Sequence, residues 1–467
     1  MSTSVPSDTE NRSGRGVLAA AWLGCALLVA LLLRLRTAPD VDLWLHLRIG
    51  RALRDGDRFQ ALPDPLTSLA DRPYVPTQWL AQVGMSVVDD LAGVTGLHAV
   101  RALLLLALAG LAHASARRWA GPLASVGVAA AVLVGTSAAW GERPQLLGLV
   151  LAALALHLWT GTLVDGRPRW ALLGVAWLWS AVHGSWPVGV ALGALALVAL
   201  AVARPRPPVR WGRLGALLVG TALVPVLGPL GPLALVEPFA VGVAARSTVN
   251  EWKPPAPSNP LLVLVVLLAL VVVVRLVRAR RADLPAVLLA VAGVALAATS
   301  VRTIATGALL LAPALARTLR PAPDPAHPWR ERVPGLVAAA ALLVVPGVVV
   351  GGPERGPLPR TVDAAVGALP AGTPTVADAY ASGWVLWAHP GPRVLRDLRA
   401  EVYTPATAAA YEDFSATRSG WQDYARRHDV RAVLTRRGEP LDRGLAGEAG
   451  WTRAAAEGDW VLWTLTG

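Results

Sequence analysis

The sequence predicts an all-α polytopic membrane protein followed by a small α/β domain outside the membrane. Hydrophobic residues make up 54% of the 467 positions and charged residues only 16%, and the mean hydropathy is +0.49, which is typical of integral membrane proteins. Continuous apolar runs of the roughly 20 residues that a membrane helix needs recur along most of the chain. From about Glu354 the composition becomes charged, with short alternating stretches. These features define the two predicted parts.

Apolar runs between polar breaks predict about eleven membrane-spanning helices. They lie near residues 17–36, 97–116, 122–139, 143–163, 170–183, 187–203, 212–236, 260–277, 283–300, 303–319 and 333–351. The first run lacks a small-residue cleavage site, so we interpret it as an uncleaved span. The apolar stretch from Gln78 to Asp90 is too short to span a bilayer, and we expect an interfacial helix there.

The charges predict the orientation. Arg-rich connections between the spans alternate so that all of them fall on one side, which the positive-inside rule assigns to the cytoplasm together with the N-terminus. This predicts a transmembrane domain over residues 1–353, with residues 37–96 as its first outer loop, and an extracytoplasmic domain over residues 354–467.

The net charge of +12 does not indicate a nucleic-acid partner. Residues 354–467 carry 13 basic and 14 acidic residues, so the whole excess lies in the membrane part, mostly in short loops. No basic stripe interleaved with aromatic residues is seen, and we expect no nucleic acid to bind. The single cysteine, Cys25, excludes an intrachain disulfide.

The tail reads as a domain of about 110 residues with mixed secondary structure. Alternating stretches at Thr375–Ala379, Trp384–Trp387, Ala432–Thr435 and Trp460–Leu465 predict strands, and the patterns at residues 405–417 and 420–428 predict helices.

The first outer loop begins with the candidate catalytic residues Asp40 and Asp42. If a helix starts near Asp42, His46 lies four residues on and shares its face. One carboxylate would then act as a general base. Two alternatives stay open: Asp40 or Asp42 only caps the helix, or the pair holds a divalent cation with water.

Further polar residues are predicted on the same membrane surface, where ionisable groups are functional candidates. They are Arg143, Gln145, His183, Glu251, Trp252, Lys253 and Arg302. Carboxylates could accept a proton from an acceptor hydroxyl while arginines stabilise a departing phosphate, which suits transfer from a lipid-linked phosphosugar. The alternative is a set of helix-end residues that only mark the interface.

Several motifs resemble, in order and spacing, a bacterial family of polytopic proteins similar to GT-C glycosyltransferases. That superfamily includes the protein O-mannosyltransferases and the lipid A aminoarabinose transferases. The matching motifs before the tail are Asp40-x-Asp42-x-Trp44-x-His46 with Gly50-Arg51, Gln78-Trp79-Leu80, Arg143-Pro144-Gln145, His183-Gly184-Ser185, Glu251-Trp252 and Arg302. Those in the tail are Asp378-x-Tyr380-x-Ser382-Gly383-Trp384, then Asp397-Leu398-Arg399 with Tyr403, then Trp421. Relatives often have a second aromatic residue where this chain has Leu45.

The resemblance implies a bacterial inner-membrane glycosyltransferase whose active site lies in the first outer loop. An Asp there would be the base, and the donor would be a polyprenyl-phosphate sugar, with the acceptor undefined. Two other functions stay open: a transporter or flippase of a lipid-linked substrate, and a non-catalytic envelope assembly protein. A transporter would need polar residues at mid-membrane depth and related halves.

The predicted topology can be tested with reporter fusions. A reporter fused after residue 208 or 325 should be cytoplasmic and one fused after residue 360 should be exported, because the Arg-rich loops fall on one side. Paired fusions to alkaline phosphatase and a fluorescent protein measure this. An exported reporter at residue 208 would contradict the eleven-span arrangement.

Overall fold

A computed structural model describes residues 8–34, 40–203, 207–319 and 356–466. Its helices before residue 320 are α1 (Asp8–Arg34), α2 (Leu43–Arg54), α3 (Trp79–Ala116), α4 (Pro122–Thr136), α5 (Pro144–Asp165), α6 (Ala171–Val182), α7 (Pro187–Val202), α8 (Trp211–Leu223), α9 (Leu233–Thr248), α10 (Pro260–Arg278), α11 (Leu284–Thr299) and α12 (Ile304–Thr318). The predicted span at 333–351 and the predicted domain boundary at 353 lie outside the described residues.

The protein has the helices of a membrane protein. Five helices in the described part are long and apolar enough to cross a bilayer: Gly16–Arg34, Trp79–Ala116, Pro122–Ala139, Pro144–Asp165 and Pro260–Arg278. Five shorter apolar helices accompany them: Ala171–Val182, Pro187–Val202, Trp211–Leu227, Leu233–Val243 and Leu284–Thr299. The prediction of eleven spans therefore stays a prediction.

One predicted boundary differs from the structure. Residues 212–236 do not form one span, because α8 ends at Leu223 and a 3₁₀ turn, Val224–Leu227, separates it from α9. Pro225 lies in that turn, and proline removes a helix hydrogen bond. The long helix α3 contains a break at Gly93, where φ is +60° and ψ is −159°. This break separates the predicted interfacial stretch from the predicted span at 97–116.

The described residues form two compact units, and the first contains most of the apolar helices. Small residues bring its helices close together, as is usual in membranes. A Cβ atom at Gly307 of α12 would lie 2.4 Å from the carbonyl oxygen of Gly293 in α11. At that separation two backbones touch, so a larger residue at position 307 would push the helices apart.

The tail is the predicted α/β domain and belongs to the second unit. Its helices are α13 (Arg360–Gly367), α14 (Ala379–Ala388), α15 (Pro405–Ser415), α16 (Trp421–Arg427) and α17 (Pro440–Ala446), and its strands are β1 (Pro374–Ala377), β2 (Arg393–Val394), β3 (Ala432–Arg436), β4 (Trp451–Glu457) and β5 (Trp460–Leu465). In the described residues the sheet order is β2-β1-β3-β5-β4. Strand β1 is parallel to both of its neighbours, β2 and β3. Strand β5 is antiparallel to both of its neighbours, β3 and β4.

The strand prediction at Trp384–Trp387 is wrong, because these residues lie in α14. Asp378 caps this helix by accepting a hydrogen bond from the Tyr380 backbone N–H at 2.9 Å. Burial raises the pKa of the Asp378 carboxyl, while the Tyr380 hydrogen bond and Arg436 oppose that shift. The five residues from Ala381 to Val385 are all buried, and a short buried apolar run cannot be assigned to a helix or a strand by its periodicity alone.

The first outer loop, described from Asp40 to Gly93, is part of the same compact unit as the tail. The sequence analysis had assigned it to the membrane domain. The loop backbone donates hydrogen bonds to the tail, from Leu69 to Leu395 at 3.1 Å and from Asp71 to Val402 at 3.1 Å. Helix α2 lies against α14, where a Cβ atom at Gly383 would be 3.0 Å from the Leu45 nitrogen. The loop and the tail thus share one core.

Arg399 of the tail joins the two segments through a buried ion pair. Its guanidinium donates to both carboxylate oxygens of Asp64 in the loop, at 2.9 and 2.8 Å, and to Asp397 beside it at 2.8 Å. The side chains of Arg399, Asp64 and Asp397 are 3%, 1% and 0% exposed, respectively. Burial alone would lower the pKa of Arg399, but Asp397 and Asp64 raise it, so the group stays charged.

Removal of Arg399 should unfold the loop from the tail. Arg399→Met leaves two buried carboxylates without their cation, and breaking a buried pair in this way typically costs about 3–5 kcal/mol. Tryptophan fluorescence during chemical unfolding of the full-length protein measures the change. Arg418→Met is the matched control. Arg418 forms an ion pair with Asp413, and the two side chains are 65% and 51% exposed, so this pair should contribute at most about 1 kcal/mol to the free energy of unfolding. Equal effects of the two substitutions would contradict a structural role for Arg399.

Candidate functional site

Five of the predicted site residues meet in the first unit, and we call them the arginine cluster: Arg143, His183, Glu251, Trp252 and Arg302. Each comes from a helix end or a short turn. Arg143 directly precedes Pro144, the first residue of α5. Glu251 and Arg302 lie on two 3₁₀ turns, Asn250–Trp252 and Val301–Thr303. Non-helical backbone at such ends lets side chains from distant segments point to one place.

Glu251 lies between the two arginines. Its carboxylate oxygens are 3.4 Å from Arg143 Nη1 and 3.9 Å from Arg302 Nη1. The Glu251 side chain is 42% exposed, whereas the arginine side chains are 19% and 23% exposed. Two guanidiniums therefore lie beside an accessible position at Glu251. Such an arrangement can bind a second anion, and guanidiniums suit phosphate oxygens in particular.

His183 forms the inner side of the cluster. It has extended backbone between α6 and α7, and its side chain lies on Gly148 of α5, where a Cβ atom would be 3.0 Å away. His183 Nε2 is 3.2 Å from Arg302 Nη2, and Nδ1 is 2.7 Å from Ser185 Oγ. A guanidinium only donates, so His183 Nε2 faces a donor, and Nδ1 also accepts from the Ser185 backbone N–H at 3.1 Å.

Trp252 and Lys253 contribute in different ways. The guanidinium of Arg302 lies 5.4 Å from the centre of the Trp252 ring, a distance at which the ring attracts a cation. Lys253 turns its ammonium to Asn250 Oδ1 at 2.9 Å, and its carbonyl accepts a hydrogen bond from the Val301 N–H at 3.1 Å. Lys253 therefore joins the two turns through its backbone. Gln145 is half-buried in the first turn of α5.

Asp40, Asp42 and His46 lie together at the start of α2, in the second unit. Asp40 is buried, and its Oδ1 accepts a hydrogen bond from the Asp42 N–H at 3.2 Å. Asp42 is half-buried at the N-cap position of α2, yet its carboxylate makes no capping hydrogen bond to the described residues of that turn. Capping therefore does not explain Asp42. The proximity of Asp40 or Asp42 to the arginine cluster stays a prediction.

His46 has a buried partner that the sequence analysis missed. Nε2 of Gln82, in the first turns of α3, lies 3.1 Å from His46 Nδ1 and 3.3 Å from the Tyr74 hydroxyl. Gln82 has no exposed surface and Tyr74 is 4% exposed. The sequence analysis also missed the network in which Glu142 contacts Arg101 and lies 3.4 Å from His98 Nε2. Neither contact follows from local sequence patterns.

The divalent cation considered at Asp40 and Asp42 stays a prediction. In the described residues, no group of three or more His, Cys, Asp or Glu side chains is arranged to hold a metal ion. One oxygen of Asp40 is also engaged with the backbone of its own turn.

Comparison with known proteins identifies the fold. No protein-family model matches the chain, and no curated protein matches it. The oligosaccharyltransferase AglB of the archaeon Archaeoglobus fulgidus, solved with an inhibitory peptide and a dolichol-phosphate, aligns with a TM-score of 0.53 and 14% identity, over 89% of this chain and 69% of that one. This chain has the fold of a GT-C-type glycosyltransferase.

Two further structures of the Archaeoglobus fulgidus oligosaccharyltransferase are similar over the same shares of both chains. The apo form has a TM-score of 0.48 and 13% sequence identity. A form tethered to an acceptor peptide has a TM-score of 0.46 and 14% sequence identity. At such identities the likeness concerns the fold. The likeness to AglB at a TM-score of 0.53 supports the predicted GT-C-type fold, whereas membership of the bacterial family stays a prediction.

The charge balance of the arginine cluster predicts the effect of neutralising Glu251. Glu251→Gln should tighten the binding of inorganic pyrophosphate about fivefold, since a unit charge about 4 Å away contributes about 1 kcal/mol in a water-like medium. Calorimetric titration measures the affinity. Glu412→Gln, at an exposed position of the tail, should change nothing. Weaker binding after Glu251→Gln would mean that the carboxylate itself is needed for the anion.

Proposed function

We propose that this protein is a membrane glycosyltransferase that moves a sugar from a polyprenyl-phosphate donor to an extracytoplasmic acceptor. The observation that carries the proposal is the arginine cluster. Arg143 and Arg302 converge on the half-exposed Glu251 carboxylate at the ends of apolar helices, and paired guanidiniums suit phosphate oxygens. The anion is then a lipid phosphate, an assignment supported by the likeness of this fold to AglB, which was solved with a dolichol-phosphate.

In this proposal Arg143 and Arg302 hold the phosphate of the donor. Charge develops on the phosphate oxygens when the sugar departs, and guanidiniums that are already in place stabilise it without rearrangement. His183 and Trp252 fix the Arg302 guanidinium from two sides, by the 3.2 Å contact to Nε2 and by the ring face. Glu251 keeps the two guanidiniums together before the donor arrives.

Asp42 is the proposed general base. Asp40 is the less suitable of the two carboxylates, because it is buried and its Oδ1 is engaged with the Asp42 N–H. Asp42 takes the proton from the acceptor hydroxyl while the hydroxyl oxygen bonds to the anomeric carbon of the sugar. The bond from that carbon to the phosphate oxygen breaks, and the polyprenyl phosphate leaves with the electron pair.

Substitution of the two aspartates separates the base from its neighbour. Asp42→Asn should lower transfer about 10²–10⁴-fold, the usual contribution of a general base. Asp40→Asn keeps an oxygen that can accept the Asp42 N–H, and transfer should stay within a few-fold of the wild-type rate. The assay uses purified protein in lipid with labelled polyprenyl-phosphate sugars and extracted membranes as the acceptor source.

Expression and thermal unfolding of both variants serve as controls for folding. Unchanged transfer by Asp42→Asn would contradict the assignment of the base. If Asp40→Asn, Asp42→Asn and the double variant all transferred normally, the enzymatic function would be wrong, and transport of a lipid-linked substrate or envelope assembly would replace it.

A further inference from the structure

A buried chain of polar contacts leads from the tail to His46. It consists of Arg399, Tyr74, Gln82 and His46, all within the second unit. The amide nitrogen of Gln82 approaches His46 Nδ1 at 3.1 Å and the Tyr74 hydroxyl oxygen at 3.3 Å. An amide nitrogen only donates, so Nδ1 of His46 accepts. In the neutral ring the proton is then on Nε2.

Close packing of α2 on the start of α3 fixes this geometry. A Cβ atom at Gly50 would lie 2.1 Å from the carbonyl oxygen of Gln82, so the two backbones touch at this point. Arg51, one residue further along α2, pairs with Asp89 at 2.8 Å and with Asp90 at 3.3 Å. Because the helices touch at Gly50 and the ion pairs of Arg51 hold them together, the Gln82 amide can reach His46 in only a narrow range of positions.

Tyr74 connects Gln82 to the tail. Its backbone N–H donates to the Phe59 carbonyl at 2.9 Å, and its ring meets the Phe59 ring edge-on at 5.5 Å. The Arg399 guanidinium lies 5.0 Å from the centre of the Tyr74 ring. Burial and then Glu401 raise the pKa of the Tyr74 phenol, so it remains protonated. The phenol oxygen is therefore a neutral acceptor held in place by the tail.

We propose that Gln82 and Tyr74 are positioning residues that hold His46 with its proton on Nε2, and that Arg399 makes this arrangement depend on the tail. His46 shares a face of α2 with Asp42, four residues earlier. A histidine in this tautomer offers an N–H donor from Nε2. In the proposed transfer, on which this consequence rests, His46 donates to a hydroxyl or phosphate oxygen and Asp42 takes the proton.

Nitrogen NMR of the full-length protein, labelled with ¹⁵N-histidine and held in lipid nanodiscs, tests the tautomer without any transfer assay. His46→Gln identifies the His46 signals. In the wild-type protein Nδ1 of His46 should be unprotonated and Nε2 protonated. Gln82→Glu should reverse this pattern, because a carboxylate accepts and so draws the proton to Nδ1. Gln82→Leu should leave a mixture of both tautomers.

Tyr424→Phe is the matched control for Tyr74→Phe. Both phenols are buried, but Tyr424 lies in the core of the tail around Phe414 and Val433. Tyr74→Phe should shift the His46 signals and Tyr424→Phe should not. A wild-type proton on Nδ1, or a pattern unchanged by Gln82→Glu, overturns the proposal. If the tautomer behaves as stated while His46→Gln transfers sugar normally, the positioning holds and the role of His46 in the proposed reaction is wrong.

Discussion

The buried ion pair of Arg399 with Asp64 and Asp397 is the interaction on which the second unit depends. Buried charges are tolerated only when their hydrogen bonds are complete. Both carboxylates accept further hydrogen bonds besides those from Arg399. Asp64 also accepts from the backbone of Leu66 and Thr67 at 2.9 and 3.0 Å. Asp397 accepts from the Tyr403 hydroxyl at 3.2 Å. The loop can adopt this conformation only when the tail is folded beside it.

Much of the fold follows from the sequence because the bilayer constrains it. Long apolar runs bounded by Pro or Arg, such as Pro144–Asp165 and Pro260–Arg278, are helices in the structure. The predictions were wrong where local chemistry outweighed hydrophobicity. Pro225 ends a helix inside the predicted run at 212–236, and the Asp378 cap starts a helix where alternating residues predicted a strand.

The two groups of candidate residues differ in how far the sequence could define them. Arg143, Glu251 and Arg302 were predicted together because polar residues at span ends on one side must share a surface. Gln82 and Tyr74 could not be found in this way, and Arg399 was singled out only as part of a motif that resembles the family, without a partner. Their contacts depend on the meeting of a loop and a tail that are far apart in the sequence, and no local pattern carries that information. Lys253 was selected for its charge, yet its carbonyl makes the connection between turns.

The loop and the tail, which both belong to the second unit, are synthesised at different times. Arg399 emerges from the ribosome 335 residues after Asp64, a delay of roughly 20 to 70 seconds at ordinary elongation rates. Throughout that interval the loop has no tail against which to bury the apolar face of α2, and the membrane helices made in between must insert first. Nascent chains therefore pass through a stage with an incomplete loop whose apolar surface is exposed, and such surfaces are recognised by chaperones and proteases.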